Sequence, residues 1–243
     1  MASSKALELS AERGAVKGRA KQKRRSRASG PQHELTALAL KACLIARDAA
    51  YNIKDLLTNS SPMALLTLRD CEKELDQIER DIDERMPEAI TRVNEDKARE
   101  LLACLKFITD LERIGDLLLS VALRMESPGG SPDEEETTLM VEMATILHTM
   151  LDQVHEGFQK RDLESARSVL QADSKIDRIC QAVFQRNLVE KRGQRDLSDF
   201  NVMLMAQALE RAGDHTKNLA EELYGLIEGH TLRHPPKRRP AAG

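Results

Sequence analysis

The chain has 243 residues, of which aromatics make up only 2%, with no tryptophan; that length holds one large domain or two small ones, and the abundance of Ala, Leu, Glu, Lys and Arg favours helix over sheet. The net charge of −3 conceals a separation: nine Lys/Arg face only Glu8 and Glu12 in residues 1–30, four more occupy residues 233–243, and the body between carries −14. There is no apolar core of signal-peptide type at the start and no run long enough to span a membrane, and Cys43, Cys71, Cys104 and Cys180, widely spaced with no C-x-x-C pair, read as reduced, buried small hydrophobes of a cytoplasmic protein.

Residues 1–30, rich in Gly, Ser, Lys and Arg, predict a disordered basic tail. Within it, residues 17–27, "KGRAKQKRRSR", could attract nucleic acid or an anionic membrane surface without sequence preference. A first helix is expected over 33–57, ending at "TNSSP" (Thr58–Pro62). There Ser60 or Ser61 can cap the next helix and Pro62 suits its first turn. The second helix is expected to run to Met86, where Pro87 breaks it, and the third to about Met125, before the linker "ESPGGSPD". The pattern then recurs, with helices expected over 134–160 and 162–190, a turn at "KRGQRD" (191–196), and a last helix over 196–229 stopped by Gly229 and Pro235–Pro236. The reading is all-α: two tandem three-helix bundles related by internal duplication, over 31–126 and 133–232. A linker at 127–132 joins them, and the basic tails 1–30 and 233–243 flank them.

Two matched motifs carry the duplication. "LERIGD" (Leu111–Asp116) returns 98 residues later as "LERAGD" (Leu209–Asp214), and "CEKELDQI" (Cys71–Ile78) aligns with "ADSKIDRI" (Ala172–Ile179) at an offset of 101. Each copy therefore bears acids at i and i+4 on two helices: Glu72 and Asp76 with Glu112 and Asp116, then Asp173 and Asp177 with Glu210 and Asp214. At about 100° per residue, Glu112 falls inside the apolar arc of Leu105, Ile108 and Leu111, with Asp116 at its edge. Glu72, Asp76, Glu79 and Asp83 form a ladder along the flank of the arc of Leu75, Ile78 and Ile82. Acids are common in this chain, and a lone E-x-x-x-D is ordinarily solvated surface. Repetition at matched sites on an apolar face is different, because carboxylates there need a counter-charge. Arg113 and Arg211 point about 100° away from their glutamates and are not expected to neutralise them. The partner is then Arg/Lys from elsewhere, or a hard or borderline divalent metal suited to an oxygen-rich patch. Gly115 and Gly213, unfavourable inside a helix by about 1 kcal/mol relative to alanine, fit a place where a helix or ligand comes close.

With "LERIGDLLLSVA" and "LERAGDHTKNLAEELY", the duplicated bundle resembles the PhoU family of phosphate-uptake regulators over roughly residues 33–230. The second copy follows the family's E-R-x-x-D-x-x-x-N pattern, while the first has Ser120 where the second has Asn218. The resemblance implies metal clusters on the E/D-x-x-x-D motifs, with Glu72, Asp76, Glu112 and Asp116 as one ligand set and Asp173, Asp177, Glu210 and Asp214 as the other. The ions would be divalent or trivalent: Fe, Zn, Mn or Mg. It further implies a non-enzymatic, cytoplasmic negative regulator, peripheral at the inner face of the membrane. Such a protein would couple the ATPase subunit of a phosphate ABC transporter to a sensor histidine kinase, and a homodimer is expected.

Two rivals stand beside it. A ferritin-like oxidase needs Glu-x-x-His pairs, and no glutamate here is followed by histidine at that spacing; His148 and His155 read as partly exposed helix residues, and no phosphate-cradling G-x-x-x-x-G-K-[ST] loop occurs. A helical adaptor could instead meet a basic partner through the acidic faces without metal.

Overall fold

The computed structural model describes residues 31–129, 131–190 and 197–229. Six long helices make up these residues, with no strand among them: α1 (Pro31–Asn59), α2 (Pro62–Ile90), α3 (Glu95–Glu126), α4 (Glu134–Lys160), α5 (Leu163–Gln185) and α6 (Leu197–Glu228). The first three and the last three form the two expected bundles. The basic segment 17–27, both tails and the "KRGQRD" turn lie outside the described residues.

Polar side chains set the helix starts. Ser61, and not Ser60, caps α2 by accepting from the Ala64 amide at 3.3 Å, while Ser60 takes the left-handed turn conformation with φ 50. Asn94 caps α3, and Asp133 with Glu136 makes a reciprocal capping box on α4. Two expectations about ends fail. Pro87 does not stop α2, which continues to Ile90. The proline falls in the exposed last turn, where one lost backbone hydrogen bond matters little because the helix closes three residues later. The fifth helix does not run unbroken to 190. Its α-helical pairing ends at Gln185 and a π-helical turn follows over Arg186–Glu190.

Helix pairing decides where the acids lie. The most extensive contacts between the bundles are α3 on α6 and α1 on α4, while α2 packs on α1 and α3, and α5 on α4 and α6. The two second helices are thus the outer ones, each sharing an open groove with the third helix of its own bundle. The interior is one continuous apolar cluster drawn from both bundles. Phe107 of α3 stacks against Phe158 of α4, with ring centroids 4.8 Å apart. Ion pairs span the seam as well: Arg47–Asp152 at 3.1 Å, Lys106–Glu222 at 2.8 Å and Arg161–Glu100 at 2.6 Å.

Candidate metal centres

Both motif glycines sit where the neighbouring helix comes closest. A Cβ on Gly115 would lie 2.6 Å from Leu75 Cδ1, and one on Gly213 would lie 3.1 Å from Ile176 Cδ1. The absent side chain lets α2 approach α3, and α5 approach α6, at the level of the acids.

In the first groove, Asp76 and Glu79 of α2 and Glu112 of α3 bring carboxylate oxygens within 4.8 Å of one another. Asp76 and Glu112 were expected there. Glu79 was visible in the ladder but was left out of the ligand set; it stands one turn beyond Asp76 on the same face. Glu72 and Asp116 flank the triad, Glu112 with a side chain only 14% exposed and Asp116 with one 46% exposed. Burial pushes the carboxyls of Glu72, Glu79 and Glu112 above their ordinary values. Repulsion adds to it, chiefly from Asp76 on Glu72, Asp83 on Glu79 and Asp116 on Glu112. Contrary to expectation, Arg113 does reach its neighbours: Nε lies 3.5 Å from Glu112 and Nη1 lies 3.7 Å from Asp116. Its long stem folds back across the helix surface. At these distances, and with the guanidinium mostly in water, it offsets the cluster only weakly.

The second groove is built differently. Asp173 is 4% exposed, and its Oδ2 lies 2.5 Å from the Lys217 ammonium. Its Oδ1 is buried without a hydrogen-bond partner. Burial raises the carboxyls of Asp177 and Glu210, helped most by Asp173 for the first and by Asp214 for the second. Cys180 occupies the place that Glu79 has in the first copy, and burial beside Glu210 and Asp177 pushes its thiol up to about 11. Among the described residues, only the first groove gathers three ligand atoms.

Two further motif residues turn away from the acids. His215 Nδ1 lies 2.7 Å from Asp110 Oδ1, and Asn218 Nδ2 donates to the same oxygen at 3.4 Å. His215 therefore ties α6 to α3. His148 and His155 stay half-buried on α4; His148 meets Tyr51 in a tilted ring contact, with centroids 6.1 Å apart.

These donors suit a cation. All are hard oxygens, they converge from two helices, and Asp173 Oδ1 has no other partner. The metal-free protein should show the strain as a pH effect. Carboxyls raised in the folded state bind more protons folded than unfolded, so their contribution to stability falls as pH rises through the raised values. Glu112→Gln and Glu210→Gln should each raise the thermal midpoint at pH 7 by about 1–2 °C, the scale of relieved like-charge pairs. The gain should vanish by about pH 4, where ordinary carboxyls protonate. A lower midpoint at pH 7 in calorimetry of chelator-treated protein would show the acids to be held by favourable contacts instead.

The family model described as "PhoU domain" matches the chain twice, over residues 40–125 and 140–223. A phosphate-specific transport system accessory protein PhoU homolog of a Burkholderia species is 28% identical over 189 residues, covering 74% of this chain and 80% of its own length. The similarly named protein of Pseudomonas aeruginosa is 30% identical over 179 residues, covering 69% and 71%. Among solved structures, PhoU from Pseudomonas aeruginosa superposes with a TM-score of 0.71 at 22% identity, over 82% of this chain and 98% of its own. The phosphate transport system regulatory protein PhoU from Streptococcus pneumoniae gives 0.74 at 19%, over 83% and 97%.

Proposed function

The chain belongs to the PhoU family, and from that premise we propose that it is a non-catalytic accessory protein of phosphate transport, one that represses phosphate-starvation signalling when phosphate is plentiful. It works in the cytoplasm as a homodimer, docking on the ATPase subunit of a phosphate ABC transporter and on a sensor histidine kinase. The family match across both bundles carries this reading. The absence, among the described residues, of a helix long and apolar enough to cross a membrane is consistent with a docked rather than an embedded protein.

The grooves hold divalent or trivalent ions. Asp76, Glu79 and Glu112, with Glu72 and Asp116 beside them, form the first site. Asp173, Asp177, Glu210 and Asp214 form the second. A bound ion neutralises the crowded carboxylates and clamps the outer helix of each bundle to its neighbour, fixing the shape of the outer face. The convergence of three carboxylates, offset only by the mostly exposed Arg80 and Arg113, supports this.

Deleting the gene should switch on phosphate-starvation genes in abundant phosphate, and the parent sequence should silence them again. A folded variant with Glu112, Asp116, Glu210 and Asp214 changed to their amides should fail to silence if metal organises the docking face. Full silencing by that variant would favour the metal-free adaptor. Starvation genes that stay off in the deletion strain would end the regulatory reading.

A further inference from the structure

The two halves diverge in charge at matched positions. Lys217 of α6 stands where α3 has Leu119, and Cys180 of α5 stands where α2 has Glu79. One copy thus gathers five acids whose ion-paired cations, Arg80 on Asp76 at 3.1 Å and Arg113 near Glu112 and Asp116, sit at the rim and are mostly exposed. The other gathers four acids and carries a lysine inside. That lysine holds Asp173 Oδ2 at 2.5 Å and leaves the buried Oδ1 without a partner.

We propose that Lys217 is a built-in counter-ion of the second groove, which a metal ion must displace from Asp173, so that the two grooves load at different metal concentrations, the first before the second. The proposal rests on the metal reading above. The buried carboxylate cannot stay uncompensated, and the lysine supplies the compensation when no ion is present. An ammonium is a point charge on a flexible four-carbon stem. The Lys217 side chain is already 37% exposed, so it can swing into water when an ion arrives. The incoming ion then gains both oxygens of Asp173 but must first break the ion pair, which lowers its apparent affinity. In the first groove the competing cations, Arg80 on Asp76 at 3.1 Å and Arg113 near Glu112 and Asp116, are mostly in water and hold no buried carboxylate, so an ion displaces them more easily and this groove loads at lower concentration. Lys217 is a positioning residue in this scheme, and it touches the ion at no stage.

The test uses the full chain, stripped by chelator and titrated with Mn²⁺, with bound ions counted per chain and thermal midpoints read with and without metal. The parent should show a tight and a weak class. Lys217→Met should tighten the weak class by roughly 10-fold to 100-fold, the range over which outer-shell partners alter metal affinity, and leave the tight class unmoved. The same variant, metal-free, should melt below the parent, and saturating Mn²⁺ should close the gap. Leu119→Lys is the reciprocal variant and should weaken the tight class; it carries the test if Lys217→Met does not fold. An unchanged weak class in Lys217→Met, or an unchanged tight class in Leu119→Lys, overturns the counter-ion. Failure of the metal reading looks different: the parent then takes up no Mn²⁺ that Glu112→Gln removes. Even then, Mn²⁺ gained by Lys217→Met upholds the lysine as the barrier, and none gained refutes it.

Discussion

Phe107→Ala should lower the stability of the whole chain by about 3–5 kcal/mol, while the protein keeps a single unfolding transition. Phe107 is fully buried and meets Phe158 of the other bundle in a tilted ring pair. The change removes the apolar area of one ring, opens a cavity, and forfeits an aromatic pair worth about 0.5–1.5 kcal/mol. For a chain of this length the thermal midpoint should fall by roughly 10 °C. One transition is expected because the apolar cluster runs without interruption through both bundles, so neither keeps its core when the other opens. Circular dichroism and calorimetry through the melt measure both. Two separated transitions, with only one displaced, would mean that the seam between the two bundles is weaker than its packing indicates.

Arg186→Met should cost about 3 kcal/mol, the scale of removing one partner from a buried charge pair. Arg186 opens the π-helical turn after α5, and its guanidinium faces three carboxylates at the start of α4. They are Asp133 at 2.8 Å, Glu135 at 3.0 Å and Glu136 at 2.8 Å. Glu136 matters most because it is almost wholly buried and also accepts from the Asp133 amide in the capping box. Without the arginine, Asp133, Glu135 and Glu136 repel one another, and the buried carboxylate of Glu136 loses the guanidinium that meets it at 2.8 Å. The denaturation midpoint in urea should fall with no change in slope. Arg186→Lys should recover only part of the loss, since a point charge cannot meet three acids at once. A variant as stable as the parent would show that the capping geometry alone holds the turn.

What the sequence revealed and what it hid divide along one physical line, the range over which each signal acts. Helix order, a serine cap at Ser60 or Ser61 and the duplication are local or periodic, and all are legible in the letters. So is the crowding of Asp76 against Glu112, because a repeated i,i+4 spacing on an apolar arc has one geometric meaning. Pro87 misled because a breaker's effect depends on how far from the helix end it falls, a matter of one turn. Arg113 misled because angular position on a helical wheel ignores the reach of a long side chain. Lys217 was invisible for another reason. It lies 44 residues from Asp173, and only the helix pairing brings them together. The same holds for His215 and Asn218 on Asp110, more than 100 residues away. The missing Glu79 is a lesser case, since its i+3 relation to Asp76 already placed it on the same face.

The seam between the bundles has a consequence for how the two copies could drift apart. α1 lies against α4 and α3 against α6, so the helices of the seam each meet their own counterpart, while α2 and α5 stay outside it. This is the contact pattern of an isologous dimer, in which one patch serves both partners. In a true dimer of single bundles, any residue placed in that patch appears twice and must satisfy both ends of the rotation axis. Joining the copies in one chain removes that obligation, and tethering keeps them associated at any dilution. Asp110 can then bind His215 although the matched positions are Ala208 and Leu117, a bond that exists once and has no mirror image. In a single chain, the two halves of such a seam are free to take up unequal tasks.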